Sequence, residues 1–349
     1  MPDICIAKEN FPELIERLMG RYRVYAPVER GRYYEFAQIG KAAEADLSFS
    51  NTLLSPKGLF HPQAERMFEY SLARDDPDAG IVKEAQKEFS PRLILGIRPC
   101  DARAFDLDDA NFDTETLKDP WWIRRRDATT MIGLACDSPC STCFCTSMGS
   151  GPYDTAGLDV LLADIGEGYA AEVLSEKGKA ALEDACGSSA AGACLQVAEK
   201  KGAAEQSIAA AFDPVAISKI GMLDLYNSPM WEEVQFACIN CGACTFLCPT
   251  CWCFDIQDEV YADRGDRLRL WDSCMFPLFT LHGSGHNPRS IKTQRVRQRF
   301  MHKLKYYQDR YNRGPACVGC GRCVQACPVN IDIRQVGLKM ASTVSSCSA

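Results

Sequence analysis

Cys238-Ile-Asn-Cys241-Gly-Ala-Cys244-Thr-Phe-Leu-Cys248-Pro249 and Cys317-Val-Gly-Cys320-Gly-Arg-Cys323-Val-Gln-Ala-Cys327-Pro328 repeat one spacing, C-x2-C-x2-C-x3-C-P. Three thiolates two residues apart wrap three corners of a [4Fe-4S] cubane, and the fourth crosses to the other cluster. Gly242 and Gly321 relieve the tight turns between ligands, and Pro249 and Pro328 divert the chain after the last one. The spacing therefore assigns Cys238, Cys241, Cys244 and Cys327 to cluster 1, and Cys317, Cys320, Cys323 and Cys248 to cluster 2. Backbone N–H groups in such loops point at the sulfurs and help set the potential. Zinc also takes C-x2-C pairs, but two complete four-cysteine runs closed by proline are far more specific.

The 349 residues hold 20 Cys and only 4 His. Apolar residues at 46% and charged residues at 24% fit a folded globular protein and exclude disorder as the main state. Met1-Pro-Asp-Ile-Cys5 has neither a basic nor an apolar leader region, and no apolar run reaches the ~18 residues that span a bilayer. The expected location is therefore cytoplasmic, where thiols stay reduced and a metal role outranks a disulfide framework. Charge divides the chain: residues 1–225 hold 24 basic against 36 acidic residues, and residues 226–349 hold 15 against 10. Two modules are expected, 1–224 and 225–349, the second more basic and suited to docking.

The first module reads as mixed α/β. Arg92–Ile97 and Thr129–Ala135 are short apolar runs that suit buried strands, and Asp101 looks like the cap of a helix running to Leu107. An Ala-rich helix is expected around Val197–Phe212. Gly166-Glu-Gly168-Tyr-Ala-Ala171 fits the loose dinucleotide fingerprint, but both flanks alternate, and a hairpin turn is the more economical reading. Cys100 and the group Cys136, Cys140, Cys143 and Cys145 follow the two predicted strands, whose ends can meet in space. Four of these five thiols suffice for a third cluster; a zinc site or inert buried thiols are the alternatives.

Cys251, Cys253 and Cys274 read as packing thiols beside the ligands, and Cys5, Cys186, Cys194 and Cys347 as isolated ones. His61, His282, His286 and His302 form no metal-spaced pair and read as ordinary hydrogen-bonding residues. Trp121-Trp122 reads as core. Arg289–Lys305 carries seven cations, as a solvated helix face or as positive charge that raises a cluster's potential and orients an acidic partner. The acidic whole and the lack of a recognition module exclude nucleic acid.

The segment Cys238–Glu259, with Trp271-Asp-Ser-Cys-Met-Phe276, Gly285-His-Asn-Pro-Arg289 and Cys317–Asp332, resembles the iron–sulfur beta subunits of cytosolic nickel–iron hydrogenases (sulfhydrogenases). It is equally similar to the corresponding iron–sulfur chain of anaerobic sulfite reductase and to that of flavin oxidoreductases paired with heterodisulfide reductase. Phe60-His-Pro-Gln63, Arg98-Pro-Cys-Asp-Ala102 and Thr142-Cys-Phe-Cys-Thr-Ser-Met-Gly149 extend the resemblance through the first half. It implies a subunit that relays electrons from a separate flavin (FAD) subunit oxidising NAD(P)H to a partner active site in a hetero-oligomer of anaerobic metabolism. It also implies Cys100, Cys136, Cys143 and Cys145 as third-cluster ligands, with Cys140 the alternative.

The resulting expectation is an α/β amino-terminal domain followed by a ferredoxin-like α+β domain with a long helical insertion between its two runs. Two [4Fe-4S] clusters, and a third in the first domain, make it an electron-transfer subunit with no complete active site of its own. A subunit whose amino-terminal cluster itself binds and reduces a small substrate is the alternative.

Overall fold

The computed structural model describes residues 2–189 and 192–343, and Cys347 lies outside them. Among these residues twelve strands follow one another: β1 Ile4–Ala7, β2 Arg23–Arg30, β3 Tyr33–Gln38, β4 Ala64–Ser71, β5 Lys83–Glu84, β6 Arg92–Ile97, β7 Thr129–Leu134, β8 Val160–Asp164, β9 Gly168–Val173, β10 Ser188–Ser189, β11 Phe254–Tyr261 and β12 Arg264–Trp271. Eight form one sheet in the order β10-β1-β9-β8-β7-β6-β2-β3. Its middle strands, β2, β6, β7 and β8, run parallel. Both faces of β6 and β7 are covered, which is why they read as unbroken apolar runs: Leu93, Ile94, Leu95 and Ile97 are fully buried.

The residues after β6 enter a helix one turn earlier than Asp101 implies. It spans Pro99–Phe112, with Pro99 at its first position and Arg98 as a cap without a side-chain bond. Asp101 is released from capping because Arg322 claims its carboxylate. The next helix, Pro120–Asp127, has a true cap: Asp119 accepts from the N–H groups of Trp121 and Trp122. Both tryptophans are buried in the core. Around Gly166 the chain makes a hairpin, with β8 and β9 antiparallel, Asp164 opposite Tyr169 and Gly166 at φ +90°. The Ala-rich helix runs Cys194–Gln206, short of Phe212, because Asp213 caps a new helix at Pro214–Lys219.

The second sheet has the order β11-β12-β4-β5 and is antiparallel throughout. It takes two strands from each side of the 224/225 boundary, a position inside the helix Met222–Tyr226. The insertion between the cysteine runs is not wholly helical. It begins as the β11–β12 hairpin, turned at Ala262 with φ +51°, before helix Lys292–Met301 begins. Alternation in Arg267-Leu-Arg-Leu270 is the period-2 signal that a helical reading passes over.

Helix Lys292–Met301 continues into a π-helical stretch, His302–Tyr306, and then Tyr307–Tyr311. This basic segment is not a solvated face: Arg295, Arg299, Lys303 and Lys305 are buried beside Val296, Phe300, Met301 and Leu304. The aliphatic stems pack with the core; the charged ends of Arg299 and Lys303 reach the cysteine loops, while Arg295 donates to Arg289 O and Ser290 O and Lys305 to Ser218 O.

Candidate metal centres

Each cysteine run is a loop followed by one short helix. Gly242 and Gly321 open these helices, Ala243–Phe246 and Arg322–Gln325, from left-handed conformations at φ +76° and +75°. A side chain at Gly242 would meet the Phe276 ring, and one at Gly321 would meet Thr142. Close packing thus demands glycine as much as the backbone does.

Cys238, Cys241, Cys244 and Cys327 line one cavity, whose wall also includes Cys323 and Arg299. Met275, Val296, Phe300, Ile331 and Ile333 make the rest of it largely apolar. Two backbone donors already reach its sulfurs: Asn240 N–H to Cys238 Sγ at 3.4 Å and Ile331 N–H to Cys327 Sγ at 3.1 Å. Such bonds stabilise thiolate charge. Arg299 is buried, its Nε has no hydrogen-bond partner, and one Nη donates weakly to Cys244 O at 3.4 Å. An orphaned guanidinium N–H facing a ring of thiols is what an anionic, sulfide-bearing group would satisfy. The cavity therefore fits an iron–sulfur cluster.

In the second set Cys317 is buried and Cys320, Cys323 and Cys248 are half-buried, and their charges interact. Burial first, then the neighbouring thiols, raises Cys317, and burial pushes Cys320 up to about 12. Cys248 departs from this pattern. Hydrogen bonding from Cys251, helped by the cation of Lys303, holds it well below the usual thiol range, while Cys251 is raised. Cys253 and Cys274 repeat the relation: the hydrogen bond with Cys274 brings Cys253 down to about 7, and Cys274 is raised.

Three buried cations surround this region. Lys57 Nζ donates to the carbonyls of Cys248 at 3.0 Å and Cys251 at 3.1 Å. Lys303 Nζ donates to Thr250 O and Oγ1, both at 2.6 Å. Burial opposes the charge of Lys303, yet the thiols of Cys248, Cys251 and Cys317 raise its pKa above the ordinary lysine value. The third is Arg299, whose charge is felt by Cys244 on one side and by Cys323 and Cys248 on the other. Sequence reasoning missed Lys57 as a site residue, whereas Arg299 and Lys303 belong to the basic stretch read there as a solvated face or as charge that raises a cluster's potential. Arg295, Arg299 and Lys303 recur every four residues beside Val296, Phe300 and Leu304, placing both rows on one helical face.

All five amino-terminal candidates meet in another cavity: Cys100, Cys136, Cys140, Cys143 and Cys145, joined by Cys320. Cys100 and Cys136 stand just past the carboxyl ends of the parallel strands β6 and β7, where crevices form in such sheets. Cys143 Sγ and Cys145 Sγ are 3.5 Å apart, and burial pushes Cys136 up to about 11. Arg98 braces the pocket through the carbonyls of Phe49, Ser50, Leu134 and Ala135. The carboxyl-terminal run closes it: Phe144 N–H donates to Gly319 O at 2.8 Å, and Arg322 makes a bidentate pair with Asp101 at 2.6 and 2.8 Å. Arg322 also donates to Thr52 O and Asn51 Oδ1. Five thiols round one cavity fit a cubane with one thiol to spare.

His61 departs from the ordinary hydrogen-bonding role. It is buried against Phe112, Phe254 and Trp271 with neither ring nitrogen bonded, and burial, then Arg269, lowers it to about 3.

Residues 237–331 match the family described as the 4Fe-4S dicluster domain. The chain is 30% identical over 340 residues to sulfhydrogenase 2 subunit beta of Pyrococcus furiosus, a match covering 94% of this chain and 95% of that protein. No solved structure matches. Among the described residues, no helix is long and apolar enough to cross a membrane.

Proposed function

The chain belongs to the family of sulfhydrogenase iron–sulfur beta subunits, and from that premise we propose that it relays electrons between partner subunits through three centres held by its own cysteines. Cys238, Cys241, Cys244 and Cys327 hold the first, and Cys317, Cys320, Cys323 and Cys248 the second. Cys100, Cys136, Cys143 and Cys145 hold the third, with Cys140 as the spare thiol. [4Fe-4S] clusters bound there supply one-electron oxidation and reduction.

The observation that carries this reading is that neighbouring sites share walls. Cys323, a ligand of the second set, lines the cavity of the first. Cys320, also of the second set, lines the third. The second set therefore stands between the other two, and the three make one continuous path. Arg299 spans the first two sets with a fixed cation that favours an added electron on either side. No side chain needs to exchange a proton for the electron to move.

The five-thiol pocket favours relay over direct reduction of a small substrate. With five donors for four irons, no iron is left without a protein ligand. The partners that this reading calls for are a flavin subunit oxidising NAD(P)H and one holding the terminal chemistry. Anaerobically purified protein is expected to contain about 12 iron and 12 acid-labile sulfide per chain. A value of about 8 of each removes the third centre.

A further inference from the structure

The first site lies against the surface, and its surroundings differ from the rest of the molecule. Cys241 is exposed, while the second set's Cys317 is buried. Around it stand large apolar side chains left open: Phe236 is 82% exposed, Ile239 61% and Ile291 55%. These neighbours are tied together. Lys292 Nζ donates to Phe236 O at 3.1 Å, bringing the start of its helix beside the end of helix Met230–Phe236. Ile239 lines the first cavity with Pro328 and Val329, and the Phe276 ring covers Gly242.

Charge singles out the same face. The three loops that form it, 236–242, 276–292 and 327–331, contain no Asp or Glu but hold Arg289 and Lys292. The positive charge of Lys292 is felt at Cys238 itself. The chain as a whole is at −7.

We infer that the face formed by Phe236, Ile239, Cys241, Ile291 and Lys292 is the docking surface for a redox partner whose own face is apolar at its centre and acidic at its rim. The inference rests on the relay reading, since an exposed cluster ligand matters only if electrons pass there. Exposed apolar side chains give such a partner its contact, the cations steer it, and Cys241 sets the shortest path at the centre. A second copy of this chain fits poorly, because a two-fold contact through this face sets Lys292 and Arg289 against themselves.

The test is stopped-flow reduction of the full, cluster-loaded chain by an acidic flavodoxin hydroquinone as probe. The net charge of −7 alone makes the rate of two acidic proteins rise with salt. The basic face makes it fall, by about tenfold between roughly 50 and 500 mM salt. Phe236→Asp is expected to slow reduction by about tenfold or more while leaving iron content and cluster EPR spectra unchanged. Lys179→Glu, on an exposed side chain away from this face, is expected to leave the rate within about twofold. A rate that rises with salt, or is indifferent to Phe236→Asp, overturns the docking face; if dithionite still reduces every cluster, the relay stands. Clusters that dithionite cannot reduce sink the relay itself. A chain that sediments as a dimer and becomes monomeric in Phe236→Asp assigns the face to a second copy and also overturns the proposal.

Discussion

The two cysteine-bearing regions are built in opposite ways. In the carboxyl-terminal region each run supplies three thiols within seven residues, and Cys327, the fourth of the second run, lines the cavity of the first. In the amino-terminal region Cys100 comes from the end of one strand, Cys136 from the end of the next, and Cys140, Cys143 and Cys145 from the loop beyond. The first kind of site is set by local spacing. The second exists only after β6 and β7 have paired and the run at Cys317–Cys327 has closed over it. Such a site depends on long-range contacts, chiefly Arg322 to Asp101 and Phe144 to Gly319.

This contrast can be broken by experiment, and replacing thiols is the harshest way. Cys327→Ser is expected to perturb the cluster bound by Cys238 and lower iron from about 12 toward about 8 per chain, whereas Cys140→Ser keeps about 12. Equal iron loss in both variants contradicts a spare thiol in the amino-terminal pocket. A gentler blow falls on the clamp. Asp101→Asn leaves Arg322 buried and unpaired, so a loss of about 3–5 kcal/mol is expected in denaturant unfolding. Occupancy of the third centre should decline before that of the other two; a uniform loss from all three denies the clamp its local role. The smallest effect concerns tuning. Arg299→Met should lower the potentials of the first two clusters by tens of millivolts, about 60 mV being tenfold for one electron, and leave the third unmoved. Redox titration followed by EPR reads each centre separately.

Much of this is legible in the chain because it is local. The doubled C-x2-C-x2-C-x3-C-P spacing points to a 4Fe-4S dicluster domain, and residues 237–331 match that family. The apolar runs at Arg92 and Thr129 become β6 and β7, and Gly166 turns a hairpin as its alternating flanks imply. What stays hidden is non-local. Asp101 has the composition and position of a helix cap, yet a guanidinium more than two hundred residues away claims it. The cations at Arg289–Lys305 read equally as a solvated face or as charge acting on a cluster until four of them prove buried, with Lys303 and Arg299 balanced by thiols from other loops. The strand pattern in the insertion is easily passed over in the chain, since its partner β4 lies far back in the sequence.

That distant partner sets an order of manufacture. β4 and β5 leave the ribosome as an open edge, and β12 follows only when residues 264–271 have been made. At about 5–20 residues per second the wait is on the order of ten seconds or more. During it the edge is a place where nascent chains can pair wrongly. The amino-terminal thiols wait longer still, since Cys320 and Arg322 are among the last parts of their pocket to be synthesised. Until those residues have been made, the pocket that gathers Cys100, Cys136, Cys140, Cys143 and Cys145 stays open on the side that Cys320 and Arg322 close.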